Sequence, residues 1–206
     1  LELFTSQVAK VGMTDGIRQV LQEESDALRA YYEQAGILIA RPAGGTSCRL
    51  AISAKGGTNA ENHNHNDVGS YAVALGSETM VGDQGGPNSY PGDYFNGDAP
   101  QKYKIKGSFG HPVPVVDGRT QSSGGKAKGV VLQKEFTNEK DVFSIDYTSA
   151  YSTPNLDKLI RTFVYDRQGK GNFTVGDEFT AKTPIRFETA ITTRADWNIL
   201  DDTRSE

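Results

Sequence analysis

With 206 residues, 36% of them hydrophobic, and a formal net charge of -4, the chain is long enough for one domain with a sizeable core. Its charge argues against wholesale nucleic-acid binding and leaves room only for a local basic patch. No window has the uninterrupted apolar length of a membrane-spanning helix, and no signal-peptide pattern opens the sequence.

The first residue is Leu1 rather than Met, which suggests a piece of a longer precursor whose targeting segment has been cut away. From 14 to about 34, Ile17, Val20, Leu21, Leu28 and Tyr31 recur at helical spacing, and Gly36 is a plausible stop. This predicts one amphipathic helix whose apolar stripe packs on the domain that follows. After it the period changes. Residues 37–41 and 48–54 read as short strands around the Pro42-Ala43-Gly44-Gly45 break, a hairpin. The single Cys48 cannot form an internal disulfide and neither demands nor excludes an oxidising compartment. Its neighbours Ser47, Arg49 and Leu50 make it an ordinary strand residue.

Residues 55–66 form a polar loop, followed by strands at 70–75 and 79–83 joined at Gly76-Ser77. The loop holds two of the three histidines, His63 and His65, among Asn62, Asn64, Asn66 and Asp67. If the segment is extended, both rings project to one face and can converge on an ion or a substrate group. A solvated polar turn is the plain alternative, because two histidines do not complete a metal site. A third ligand is available in Asp83, a carboxylate at the end of an apolar strand and followed by glycines. The remaining histidine, His111, would join it. His65, Asp83 and His111 offer two nitrogens and an oxygen, a set typical of zinc with an open position. Asn64, Asn66 and Asp67 suit loop hydrogen bonding, and Asn64 is also placed to touch a substrate.

Residues 84–99 form a long Gly/Pro/Asn/Tyr segment, and a loop of that length is more often functional than idle. Tyr90 and Tyr94 either line a sugar or peptide groove or pack the loop down. Lys102, Lys104 and Lys106 alternate with Tyr103 and Ile105. On a strand they would set three ammonium groups on one face, suited to an acidic polymer or simply protecting a sheet edge. Short strands continue at 113–116, 130–136, 142–147, 159–165, 172–179 and 185–192. Turns at Asp117-Gly118, Asn138-Glu139, Thr153-Pro154-Asn155 and Gln168-Gly169-Lys170-Gly171 punctuate them, as an all-β antiparallel sandwich requires. Arg161, within a strand, is a candidate for a sheet face turned toward a substrate cleft.

Three segments carry a family resemblance. Asn62-His63-Asn64-His65-Asn66-Asp67-Val68-Gly69-Ser70-Tyr71, Val81-Gly82-Asp83-Gln84-Gly85 and Ser108-Phe109-Gly110-His111 resemble conserved segments of heparinase II/III-type polysaccharide lyases. Residues 35–41 are similar to the first strand of the same domain. The match covers roughly residues 31 to 117 by motif and the remainder by strand pattern. It implies that residues 36–206 are the β-sandwich domain and that residues 1–35 are a helical linker from an N-terminal helical toroid.

The resemblance further implies β-elimination at a uronic acid of an acidic polysaccharide. His63 would face the substrate, and His65, Asp83 and His111 would hold zinc or another divalent cation. The catalytic tyrosine and its partner would come from the toroid, and the protein would act in the periplasm or outside the cell. One departure stands out: the family usually has Asn after the third histidine, and here Pro112 lacks a backbone donor. A non-catalytic carbohydrate-binding sandwich and a self-sufficient metalloenzyme of cupin or jelly-roll type are the competing expectations.

Overall fold

The computed structural model describes residues 27–83, 89–193, 196, 199–201 and 204–205. All of its strand pairings are antiparallel among these residues. One sheet runs β1 (Arg29–Tyr32), β2 (Ile37–Ala40), β3 (Leu50–Lys55), β5 (Tyr71–Leu75) and β6 (Glu78–Val81) side by side, while β4 (Thr58–Asn59) lies outside it. The other consists of β9 (Val130–Phe136), β10 (Lys140–Asp146), β11 (Leu156–Asp166) and β12 (Asn172–Ala181), with β11 and β10 central. Two-stranded ribbons pair β4 with β8 (Gly124–Lys128), β7 (Pro114–Val116) with β13 (Phe187–Thr189), and β14 (Ile199–Asp201) with β15 (Arg204–Ser205). A single helical turn, α1 (Ala99–Lys102), follows the tyrosine loop. The expected all-β sandwich is the observed architecture.

Period-two patterning builds the core. Along β11, Leu159, Arg161, Phe163 and Tyr165 are buried while the residues between them are more open, so one face of the strand points inward. Leu159, Phe163 and Tyr165 join Leu38, Ala40, Ile52 and Ala54 from the first sheet in one apolar cluster. Phe143 stacks on Phe163 at 6.0 Å and Phe163 on Phe173 at 6.3 Å, while Tyr71 reaches across from the first sheet edge-on to Phe163 at 6.2 Å. Such cross-strand aromatic pairs fix register as well as bury area. Cys48 is buried, its thiol 3.5 Å from the Tyr165 hydroxyl.

Two expectations need correction. The helix read over 14–34 falls partly outside the described residues, but its last part is β1, with Tyr31 paired to Leu38 of β2. Tyr31 packs edge-on against Phe136 and Phe143 at 5.7 and 5.8 Å. Tertiary packing therefore overrode a local 3.6-residue spacing. Gly36, with φ +62, turns the β1–β2 hairpin rather than stopping a helix. The lysine strand is also absent: Lys102 ends α1, and the following residues turn until Lys106, which is buried. By contrast, β9 occupies the residues expected of it. At Asp117 and Gly118, both with positive φ, Val116 and Arg119 exchange backbone hydrogen bonds, the two-residue turn predicted there.

Candidate functional site

The histidine loop is held from below by side-chain amides. Gln121, 1% exposed, accepts from the Val68 backbone N–H and the Asn59 amide at 3.0 Å, and donates to the Val68 carbonyl at 2.6 Å. Asn66, equally buried, donates to the Gln121 carbonyl at 3.0 Å, and the Asn59 side chain accepts from the Asp67 N–H at 3.1 Å. Asp67 pairs with Lys55 at 2.6 Å. Polar groups buried at this depth persist because each is satisfied, and their satisfaction leaves the loop one conformation. Asn66 and Asp67 are thus the loop hydrogen-bonders that turn chemistry suggested. Gln121 had no sequence signal, since its importance lies wholly in which backbone it meets.

That conformation is not extended. His63 sits at φ 58, and the Asn64 N–H bonds to the Glu61 carbonyl at 3.2 Å in a turn. The same-face rule for residues two apart holds only on a strand, so here the two imidazoles part. His63 faces outward, its ring 4.5 Å from that of Phe95. His65 turns inward to His111.

His111 is fully buried at the end of a short 3-10 turn, Ser108–Gly110. A side chain at Gly110 would come within 2.7 Å of the Ile105 backbone, so the approach of this turn requires glycine. The His111 Nε2 lies 3.1 Å from His65 Nδ1, and its Nδ1 lies 3.3 Å from the Asp83 carboxylate. One donor atom from each of His65, Asp83 and His111 falls within 4.8 Å of the others. The loop after β3, the end of β6 and the 3-10 turn meet at this point, so the three residues selected in the sequence are brought together.

The grouping suits a divalent cation. Two imidazoles and a carboxylate are a donor set that zinc accepts, and two zinc–nitrogen bonds at a tetrahedral angle set their nitrogens ~3.4 Å apart. Burial, and next the neighbouring His111, push the His65 pKa below the usual imidazole range, which keeps that ring in the neutral form a metal needs.

His63 stands on a ridge between two hollows. On one side is a cleft of about 730 Å³ whose walls include Glu61, His63, Asn64, Phe95, Lys106 and Ser123. The hollow of about 350 Å³ on the other side is shared by His63, His65, Lys55 and Ala35. The Asn64 amide donates to the His65 carbonyl, and the residue lines both hollows. Lys106, 3% exposed, donates to the Tyr94 carbonyl at 2.8 Å with its ammonium 4.8 Å from the Tyr94 ring and 5.2 Å from that of Phe95. Burial lowers its pKa.

The tyrosines divide. Tyr94 is 2% exposed and packs against Tyr103 and Phe95, so it holds the loop down and does not line a groove. Tyr90, more than half exposed, lies 5.3 Å from Phe95 and remains accessible. Phe95 itself was missed by sequence reading, although it follows Tyr94 in an aromatic loop. The largest correction concerns Arg161. It is 1% exposed and lies inside the sandwich, donating to Asp177 at 2.8 and 2.6 Å. A strand arginine can sit inward only when paired and hydrogen-bonded, and here each of its three guanidinium nitrogens donates.

No family model matches the sequence, and no curated protein does. Among solved structures, the chain is similar to heparan sulfate lyase HepC from Pedobacter heparinus, both in a mutant (TM-score 0.58, 19% identity) and in HepC without that description (TM-score 0.58, 16% identity). Each comparison covers 77% of this chain and 23% of the other, so the chain spans less than a quarter of that protein's length. At this level of identity the likeness is one of fold.

Proposed function

We propose that this chain is the β-sandwich domain of a polysaccharide lyase that cleaves a uronic-acid-containing acidic polysaccharide by β-elimination, in partnership with a helical domain outside these residues. The observation that carries the reading is a single arrangement. An exposed imidazole, His63, lines a cleft and shares the adjoining hollow with His65, which itself meets Asp83 and His111. The shared fold with a heparan sulfate lyase and the motifs at residues 62–71, 81–85 and 108–111 support it.

In such an elimination a base removes the C5 proton of the uronate, the electrons form the C4–C5 double bond, and the C4–O bond breaks. An acid then protonates the departing oxygen. His63 is a group on this chain that reaches the cleft and can exchange a proton beside the uronate carboxylate. Its contact with Phe95 fixes the ring plane, and Asn64 holds the next carbonyl. His65, Asp83 and His111 would hold the cation, zinc or a similar divalent ion. When bound, it would supply positive charge beneath the loop. The residues that complete the acid–base set lie outside this chain, so the isolated 206 residues should bind a substrate without turning it over.

The longer protein should release unsaturated uronate from an acidic polysaccharide, read as new ultraviolet absorbance. Binding with no such absorbance would favour a carbohydrate-binding module, for which Phe95 and the exposed Tyr90 provide a stacking surface. Turnover by this chain alone would point instead to a self-sufficient metalloenzyme.

Metal retention should depend on pH with a definite sign. Protons compete with the cation for His65, and the pKa of that ring lies below its ordinary value. Protonation of His65 is therefore expected to weaken zinc binding only as the pH drops through the depressed pKa, below 6.5. A chromophoric chelator titration across pH 5 to 8 would check this, and an affinity already falling above neutrality would contradict it.

A further inference from the structure

We infer that Arg161 is a positioning residue for the ligand cluster: its guanidinium sets the spacing of the two loops that carry His65 and His111. This rests on the metal reading above and extends it to a residue that touches neither substrate nor ion. The geometry is specific. One terminal nitrogen, Nη1, donates to the Gly69 carbonyl at 2.8 Å and to the Pro112 carbonyl at 2.8 Å. Gly69 ends the histidine loop, and Pro112 follows His111 directly. The same nitrogen thus grips both ligand-bearing segments at their exits.

Nothing in this arrangement can swing. Nε and Nη2 are held by the two oxygens of Asp177 across β12, and the Tyr147 hydroxyl donates to Asp177 at 2.8 Å. The Tyr71 and Tyr147 rings flank the guanidinium at 5.8 and 5.6 Å. Gly69, at φ +86, lies against the Tyr147 ring, where a side chain would come within 3.2 Å. A planar fork with its donors fixed in direction is what Arg provides and Lys does not. Pro112, which has no N–H, still presents the carbonyl that Arg161 needs, so the departure from the usual Asn leaves this grip intact.

The test compares the 206-residue chain with Arg161→Lys, and with Val175→Ala as a control that trims the core without removing any hydrogen bond of the guanidinium. Two readings are taken: zinc affinity by chelator competition, and the nuclear Overhauser contact between the His65 and His111 rings in metal-free protein. Arg161→Lys is expected to lower zinc affinity tenfold or more, within the ~10–100-fold range for partners behind the ligands, and to weaken the ring contact. Val175→Ala should change neither beyond its loss of stability. Wild-type affinity together with an unchanged ring contact in Arg161→Lys would overturn the inference. If the parent chain binds no zinc, the metal reading fails by itself, and the ring contact alone then decides whether Arg161 positions the loops. Should Arg161→Lys fail to fold, Asp177→Asn, which keeps the guanidinium but loosens its anchor, is read in the same two ways.

Discussion

On the proposed lyase function, replacing His63 by Asn in a protein that carries both domains is expected to lower the turnover of acidic polysaccharide by ~10²–10⁴-fold, the usual worth of a positioned acid–base group, with little change in KM. Asparagine is the informative substitution because His63 sits at φ 58, a left-handed conformation that Asn adopts with less strain than most residues. The backbone of the loop should therefore survive, and only the imidazole is lost. Its ring is exposed and rests on Phe95, so the fold depends little on it. A rate within about threefold of the parent protein would remove His63 from the chemistry. A fall in rate accompanied by a fall in melting temperature would indicate that the loop, and not the imidazole, had been damaged.

Asp141→Ala is expected to destabilise the domain by ~3–5 kcal/mol, because it strands buried positive charge. The Asp141 side chain is fully buried on β10. It accepts from Arg29 of β1 at 2.8 Å and from Arg167, whose own side chain is 3% exposed. Arg167 in turn donates to the Arg41 carbonyl at 2.7 Å and the Leu28 carbonyl at 3.1 Å. The three residues thus tie the first strand of one sheet to the second sheet at the point where the described chain begins. Removing the carboxylate leaves two guanidinium groups facing each other in a poorly solvated place. Urea unfolding should show a lower midpoint at an unchanged slope. Pairing Asp141→Ala with Arg167→Met should recover part of the loss, since removing both partners is cheaper than removing one. A loss below about 1 kcal/mol would mean that the cluster is hydrated and that its charges matter little.

The strand rhythm was legible because burial in a sandwich writes a period of two into the sequence, as Leu159, Arg161, Phe163 and Tyr165 show along β11. Turns such as Asp117-Gly118 were legible because only a few residues take positive φ. Tyr31 misled, since a hydrophobic residue at helical spacing serves a strand equally well once Phe136 and Phe143 are there to receive it. Lys106 misled for a related reason. Three alternating lysines read as a solvated face, but the last turns inward beneath Tyr94 and Phe95.

Composition, turn chemistry and alternation thus determined an antiparallel β domain, the scarcity of histidine singled out residues 63, 65 and 111, and Asp83 stood out as a carboxylate ending an apolar strand. These are properties of short windows, and a window of sequence is enough to express them. Only the tertiary structure decided that His63 and His65 face apart, that Arg161 lies inside gripping Gly69 and Pro112, and that Gln121 supports the loop. His65, Arg161 and Gln121 each depend on a partner more than 40 residues away. A side chain's direction is set by the groups that satisfy it, and those groups are chosen when the two sheets close on one another.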